Sequence, residues 1–306
     1  MIKQPIQGVK GLRRSLHFVP GGNDRMFEKA LSLPADSLIL DLEDSVTPEN
    51  KEAVRSHVCN WVKRTDFGTQ ECLVRINPQD TPWGKDDLLA IMEVLPDGLV
   101  LPKVTTREDV DAVDKAIARI EQEKKIEPGS ISLVLIGAEV PEAVFHLPTI
   151  AKNPRVDGIT WGAEDLSGAL GARAKRDKQG NYLEVFNYVR STCLLAAVAA
   201  GVQPIDAVYV DIKNSTGLKL ESKTAADMGY TGKFTIHPSQ IEIVNNAFTP
   251  SEKEISEAAE LIAAFAEHQA SGKMAFSFNG QMVDVAHLKR AQKILDKATQ
   301  IAGQTG

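Results

Sequence analysis

Two stretches decide the fold: Ile131-Ser-Leu-Val-Leu-Ile-Gly-Ala-Glu139 and Val156-Asp-Gly-Ile-Thr-Trp-Gly-Ala-Glu-Asp165. Each begins with an apolar run suited to a buried strand, ends in an acid, and is followed by a stretch with helical character. A carboxylate in that position stands at the mouth of a parallel sheet, where α/β enzymes place their chemistry. Two hard oxygen ligands with no His or Cys beside them suit Mg²⁺ better than Zn²⁺. A structural reading competes: both acids would then cap the helices that follow, since carboxylates are favourable at helix N-termini.

Working outward, short apolar runs recur at Arg14–Val19, Ser37–Leu42, Cys72–Ile76, Gly98–Leu101, Ile131–Ile136, Gly158–Trp161, Ala207–Val210 and Phe234–Ile236. Between them lie segments of helical spacing with charged faces, among them Asp24–Leu33, Glu49–Lys63, Arg107–Glu123, Tyr182–Ala200 and Leu218–Met228. Such alternation requires parallel strands joined by crossovers. Eight units point to a closed (β/α)8 barrel over residues 1–248, where five or six would favour an open sheet. Neither a GxGxxG opening the first helix nor a GxxxxGK[ST] occurs, so the common nucleotide fingerprints are missing.

After the eighth unit the pattern changes. Thr249-Pro-Ser-Glu252 reads as a turn and N-cap leading into a helix over Glu254–Gln269, and Gly272 as a break. Asn279-Gly280, flanked by alternating residues, signals a hairpin, and an amphipathic helix follows from Ala286 to about Ile301. This 249–306 extension is expected to lack a core of its own and to pack on the barrel or on a neighbouring subunit.

The 306 residues accommodate one barrel of about 250 residues plus this extension. A net charge of -6 argues against a nucleic-acid partner, which needs a basic face. Cys59, Cys72 and Cys193 are odd in number and widely spaced, so they indicate neither a disulfide framework nor a zinc site. No apolar run approaches the ~18 residues of a membrane span, and no signal-like or Arg-rich leader precedes Gly11, so a bacterial cytoplasm is expected.

The inferred mouth also holds Asp41, Glu43 and Asp44 after the second strand and Arg75 on the third. Arg75 reads either as a structural partner for Asp41 or Glu43, or as a planar fork for a carboxylate or a developing oxyanion. Pro20-Gly-Gly-Asn23 is either a ligand-approaching turn or a plain βα turn. His237 precedes Pro238, which suits the first position of a helix. Trp161, His17 and Phe18 read as barrel packing.

Together these segments resemble the citrate lyase β-subunit-like (HpcH/HpaI aldolase) group, which includes malyl-CoA and citramalyl-CoA lyases. The matching stretches are Leu16-His-Phe-Val-Pro-Gly21, Leu38-Ile-Leu-Asp-Leu-Glu-Asp44, Val74-Arg-Ile-Asn77, Leu101-Pro-Lys103, Glu139-Val-Pro141, Gly162-Ala-Glu-Asp-Leu166, Gly232-Lys-Phe-Thr-Ile-His-Pro-Ser-Gln240 and Met282-Val-Asp284. The resemblance implies a (β/α)8 carbon–carbon lyase that cleaves a 3-hydroxyacyl-CoA to acetyl-CoA and a 2-keto acid, pyruvate or glyoxylate. It implies Mg²⁺, with Mn²⁺ as a substitute, held by Glu139 and Asp165. It makes Arg75 the contact to the acyl end, and Asp284 a residue delivered into a neighbouring subunit's site, in a homo-oligomer built as a trimer or hexamer. Asp284 is then the acid/base, with Asp44 or Glu43 as alternatives. Candidate substrate and CoA contacts are Phe18, Arg25, Lys29, Arg75, Glu164, His237 and Pro238. Two departures stand out: Gly22-Asn-Asp-Arg-Met26 leaves the basic CoA contact open between Arg25 and Lys29, and Glu139-Val-Pro141 lacks the Thr common in the family. Alternative readings are a citrate lyase β subunit, which usually ends soon after the barrel, a malyl-CoA thioesterase or malate synthase-like activity, and a non-catalytic CoA-binding protein.

Overall fold

The computed structural model describes residues 11–270 and 274–304, so Gly272 lies outside the described residues. The chain divides into two units, residues 1–245 and 246–306. In the first, eight parallel strands close into a barrel in sequence order: β1 (Ser15–Pro20), β2 (Ser37–Asp41), β3 (Glu71–Arg75), β4 (Gly98–Leu101), β5 (Ser132–Ile136), β6 (Val156–Thr160), β7 (Gln203–Asp206) and β8 (Gly232–Thr235). The connecting helices are α1 (Asp24–Leu31), α2 (Lys51–Arg64), α3 (Gly84–Val94), α4 (Arg107–Lys124), α5 (Pro141–Ile150), α6 (Ala163–Leu170), α7 (Glu184–Ala200) and α8 (Ser215–Met228); α9 (Pro238–Phe248) follows β8.

The strands are apolar on both faces because both are covered. Inward-pointing Leu16, Ile39, Leu73, Val100, Val134, Ile205 and Phe234 fill the barrel. Their neighbours Leu38, Leu40, Val74, Leu99 and Leu133 pack outward with Val58, Ile91, Ile117, Leu147 and Phe186 of the helices. That is why each strand reads as an unbroken run rather than an alternation. Helix ends carry local signals: Thr106 and Asp109 form a reciprocal capping box on α4, and Gly171, Gly201 and Gly229 end α6, α7 and α8 in the left-handed conformation.

The N-terminal end of the barrel is closed by a buried ion network. Arg13 Nε donates to Glu71 at 2.8 Å and its Nη1 to Asp157 at 2.8 Å, while Ser37 donates to Glu71 at 2.6 Å. The opposite, C-terminal rim is left for the acids.

Strand seven is displaced from the expected Ala207–Val210 to Gln203–Asp206. Pro204 cannot donate to a ladder and so argues against a strand in this segment. The barrel tolerates it because the β6 pairing is short, Gly158 with Gln203 and Ile159 with Pro204, and the Pro204 carbonyl accepts from Thr231 N at 2.9 Å. Strand eight starts earlier than expected, at Gly232, where a side chain would come within 1.8 Å of the Arg13 carbonyl. The fully buried Lys233 disguised this strand: its ammonium bonds Asp206 at 2.8 Å and Glu221 at 2.9 Å. Asp206 also accepts from Trp161 Nε1 at 3.0 Å and from Arg190, and although burial opposes its charge, Lys233 and Arg190 hold its carboxyl down to about 2. Trp161 is thus packing, as expected, and Cys72 and Cys193 are buried free thiols.

The second unit contains α10 (Glu252–Ala270), a hairpin of β9 (Phe276–Phe278) and β10 (Gln281–Val283), and α11 (Val285–Gln304). Asn279 and Gly280 both have positive φ, the requirement of the tight turn that Asn-Gly signals. Contrary to expectation, this unit has a small apolar cluster of its own, formed by Ala258, Leu261, Phe265, Phe276, Val283 and Ala291, with Phe265 and Phe276 edge-to-face at 4.8 Å. The hairpin supplies the two residues that the helix periodicity alone did not reveal as core.

Candidate active site

Asp41 and Arg75 are the last residues of β2 and β3 and stand opposite each other in register. Arg75 Nε donates to Asp41 Oδ1 at 2.7 Å and Nη2 to Asp41 Oδ2 at 2.8 Å, a two-pronged pair that fixes the guanidinium plane. Asp41 also accepts from the backbone N–H groups of Glu43 and Ser45. Burial works against its charge, but Arg75 and these bonds hold the carboxyl below its ordinary value. The remaining prong, Nη1, lies 2.8 Å from Glu43 Oε2 and 3.3 Å from Asp44 Oδ2. The Glu43 contact is close but misaligned, so Oε2 is a buried oxygen without a hydrogen-bond donor. Phe18 lies beneath the guanidinium, 4.7 Å from ring centre to Cζ, and packs edge-to-face on Phe234. Arg75 is thus anchored by Asp41, as the structural reading expected, and its third prong turns to Glu43 and Asp44 at the rim.

Glu139 lies three residues beyond β5 and is buried. It does not cap α5, whose N-cap is Val140. Burial, followed by the nearby Glu43 and Asp165 charges, pushes its carboxyl up to about 8 even though the Lys103 N–H donates to Oε2 at 2.6 Å. Gly162 makes room for it, since a Cβ there would lie 2.4 Å from Glu139 Cγ. Asp165 sits in the first turn of α6, whose N-cap is Gly162, so the helix-terminus reading describes its position but not that of Glu139.

Lys103, two residues past β4, ties the acids together. Its ammonium lies 2.7 Å from Glu43 Oε1, 3.6 Å from Asp44 Oδ1 and 3.9 Å from Asp165 Oδ1. Sequence reasoning quoted this residue without giving it a role; its signal was a lysine directly after the fourth strand's Leu101-Pro102. Lys51 was missed too. Its ammonium is buried against the Leu42 and Glu43 carbonyls and Asn77 Oδ1, at 2.7–2.8 Å, and holds the loop that carries Glu43 and Asp44.

The other sequence candidates are more peripheral. Arg25 and Lys29 are exposed on α1. Gly21 is explained without a ligand, because its N–H donates to the Asp41 carbonyl and a Cβ would lie 2.4 Å from that oxygen. Glu164 is half-exposed and paired with Lys175. His237 accepts from Ser239 N through Nδ1, just before Pro238 opens α9. His17 is buried on Thr235, outside this cluster, and burial lowers its imidazole to about 4. Asp284, in the second unit, is exposed; Ala286 N donates to it at 2.9 Å and His287 Nδ1 lies 2.9 Å away, an arrangement that starts α11.

Among the described residues no group of three or more His, Cys, Asp or Glu side chains forms a complete metal cage. Magnesium does not need one: it takes one or two carboxylates and fills its other positions with water and substrate oxygens. Glu139, seated in the space that Gly162 leaves, and Asp165 fit that requirement.

A family model described as HpcH/HpaI aldolase/citrate lyase matches residues 14–238. The chain is 36% identical over 298 residues to the mitochondrial citramalyl-CoA lyase of Rattus norvegicus, covering 94% of this chain and 87% of that one. It is 36% identical over 300 residues to citrate lyase subunit beta of Escherichia coli (strain K12), covering 97% of both. A crystal structure of CitE from Mycobacterium tuberculosis in complex with magnesium, acetoacetate and coenzyme A superposes with a TM-score of 0.78 at 32% identity, covering 95% of this chain and all of that one. The chain belongs to the HpcH/HpaI aldolase/citrate lyase family.

Proposed function

We propose that this carbon–carbon lyase cleaves citramalyl-CoA to acetyl-CoA and pyruvate with Mg²⁺ held by Glu139 and Asp165, and that malyl-CoA, giving glyoxylate, is the competing substrate. The carrying observation is the convergence at the C-terminal rim of Arg75, Glu139, Asp165 and Lys103. Support for the substrate class comes from the similar citramalyl-CoA lyase and from the magnesium, acetoacetate and coenzyme A bound by the CitE neighbour.

When bound, magnesium draws electron density from the substrate's carboxylate and hydroxyl oxygens and acidifies the hydroxyl. Transfer of the hydroxyl proton to the acid/base carboxylate breaks the bond to the carbon beside the thioester, turns the hydroxyl carbon into the keto carbon of pyruvate and leaves the enolate of acetyl-CoA, to which the proton then returns. Arg75 offers that developing oxyanion, or the substrate carboxylate, its outward prong, while Asp41 keeps the guanidinium from following the substrate. Phe18 shields the face of the guanidinium from water. Asp284 of a neighbouring copy serves as the acid/base that protonates the enolate, in a trimer or a hexamer; Glu43 and Asp44 already share Arg75 and Lys103. Arg25 or Lys29 on the exposed face of α1 takes the CoA phosphates, with Glu164, His237 and Pro238 around the mouth.

Steady-state turnover of both acyl-CoA esters with Mg²⁺ tests the reading. Release of pyruvate with acetyl-CoA from citramalyl-CoA, faster than glyoxylate from malyl-CoA, is the expected result. Free CoA with intact hydroxyacid would mean thioester hydrolysis instead, and no reaction with either ester would overturn the assignment. A citrate lyase β subunit is the second reading, favoured by the match over 97% of the Escherichia coli chain: the C-terminal extension does not separate the two. Dependence of cleavage on added acyl-carrier subunits would favour it.

A further inference from the structure

Around the rim five carboxylates, Asp41, Glu43, Asp44, Glu139 and Asp165, face two cations, Arg75 and Lys103. The cations are held differently. Arg75 is buried and locked into Asp41, whereas the Lys103 side chain is 34% exposed and meets three acids from two segments, Glu43 and Asp44 after β2 and Asp165 on α6. Lys103 also has φ +53, a left-handed backbone that costs a non-glycine residue about 1 kcal/mol or more. That conformation serves both ends of the residue. Its N–H reaches Glu139 at 2.6 Å, and its side chain reaches Glu43 and, more distantly, Asp165.

We propose that Lys103 is a positioning residue that sets the magnesium affinity of the site. Its main chain orients Glu139, and its ammonium is the resident counter-charge of the acid cluster, against which the divalent ion must bind. The inference rests on the assignment of Glu139 and Asp165 as the magnesium carboxylates. Its direction follows from electrostatics: a unit positive charge within a few ångströms of a divalent cation opposes binding, and the main-chain N–H survives any side-chain substitution. Glu43 and Asp44, released from the ammonium, add their charge to the same region.

Calorimetric titration of Mg²⁺ into the full-length protein, with melting curves in chelator, tests this without any turnover assay. Lys103→Met should bind Mg²⁺ at least about tenfold more tightly than wild type at low ionic strength, and the gap should narrow as salt is added. The same variant should melt at a lower temperature in chelator, where Arg75 alone is left to offset the acids. Lys103→Arg should keep the wild-type affinity. Lys103→Gly, which relieves the positive φ, should reproduce the tighter binding and melt above Lys103→Met in chelator. Unchanged or weaker Mg²⁺ binding in folded Lys103→Met and Lys103→Gly would overturn the proposal while leaving the magnesium site intact. Absence of Mg²⁺ binding by wild type would instead remove the magnesium assignment on which it stands.

Discussion

Asp41 and Arg75 are register partners on adjacent parallel strands and meet through two hydrogen bonds of 2.7 and 2.8 Å. Paired positions on parallel strands point to the same side, so the pairing of β2 with β3 delivers both side chains to the barrel mouth together. Asp41 takes Nε and Nη2 of the guanidinium, and Nη1 turns to Glu43 and Asp44 at the rim.

Asp41→Asn should therefore damage the enzyme without touching substrate. It leaves a buried guanidinium half-paired, at a cost of about 3–5 kcal/mol in denaturant unfolding. With Arg75 free to tilt, turnover should fall by about 10²-fold. Arg75→Lys keeps the charge but loses the fork and should be similarly impaired. Wild-type turnover in Arg75→Lys would reduce the residue to a structural role.

Gly162→Ala tests whether the seat of Glu139 matters. The new methyl would lie 2.4 Å from Glu139 Cγ, while φ −112 at Gly162 is open to any residue. The carboxylate must shift, so the Mg²⁺ concentration for half-maximal activity should rise by about 10–100-fold, the usual effect of disturbing a ligand's support. Glu139→Gln and Asp165→Asn should abolish the Mg²⁺ response itself. If Gly162→Ala titrates like wild type, Glu139 is not held where the structure puts it.

Much of this was legible in the sequence because the signals are local. A barrel strand buried on both faces writes an unbroken apolar run, and six of the eight announced themselves in that way. Gln203–Asp206 and Gly232–Thr235 were misplaced because Pro204 and Lys233 violate strand expectations, and only tertiary context satisfies them: the Pro204 carbonyl takes Thr231, and Lys233 takes Asp206 and Glu221. Glu139 and Asp165 stood out as acids at strand ends. Lys103 did not, since a lysine in a loop is ordinarily a solvated one; only the fold shows Glu43, Asp44 and Asp165 gathered around it. The small core of the second unit was hidden for a related reason: it joins Phe265 of a helix to Phe276 of a hairpin.

His17 gives the protein an acid sensitivity remote from the rim acids. Burial lowers its imidazole to about 4, against 6.5 for the ordinary group. Between those values the unfolded chain binds a proton that the folded chain refuses, so stability must fall as pH drops from 6.5 towards 4. The full loss is about 3 kcal/mol. His17→Asn cannot titrate and retains a hydrogen-bonding group for Thr235. Urea unfolding at pH 7 and pH 4.5 should show a smaller acid loss in the variant; equal losses would assign the sensitivity to other groups.

Asp284 separates a structural role from a catalytic one. Here its carboxylate accepts from Ala286 N, lies beside His287 and starts α11; the His287 and Ala286 bonds keep it below its ordinary value. Asparagine caps helices about as well as aspartate, so Asp284→Asn should leave the melting temperature within a degree or so. If Asp284 is the acid/base of a neighbour's site, the same variant should lose turnover by about 10²–10⁴-fold with Mg²⁺ binding unchanged. Mixing then identifies the subunit that supplies it. Asp284→Asn and Arg75→Ala subunits should each be inactive alone, but after exchange some sites would combine an intact Arg75 from one copy with an intact Asp284 from another. Recovered activity is the expected result. Demonstrated subunit exchange without recovery, or full activity in an isolated monomer, would leave Asp284 as a helix cap and send the search for the acid/base back to Glu43 and Asp44.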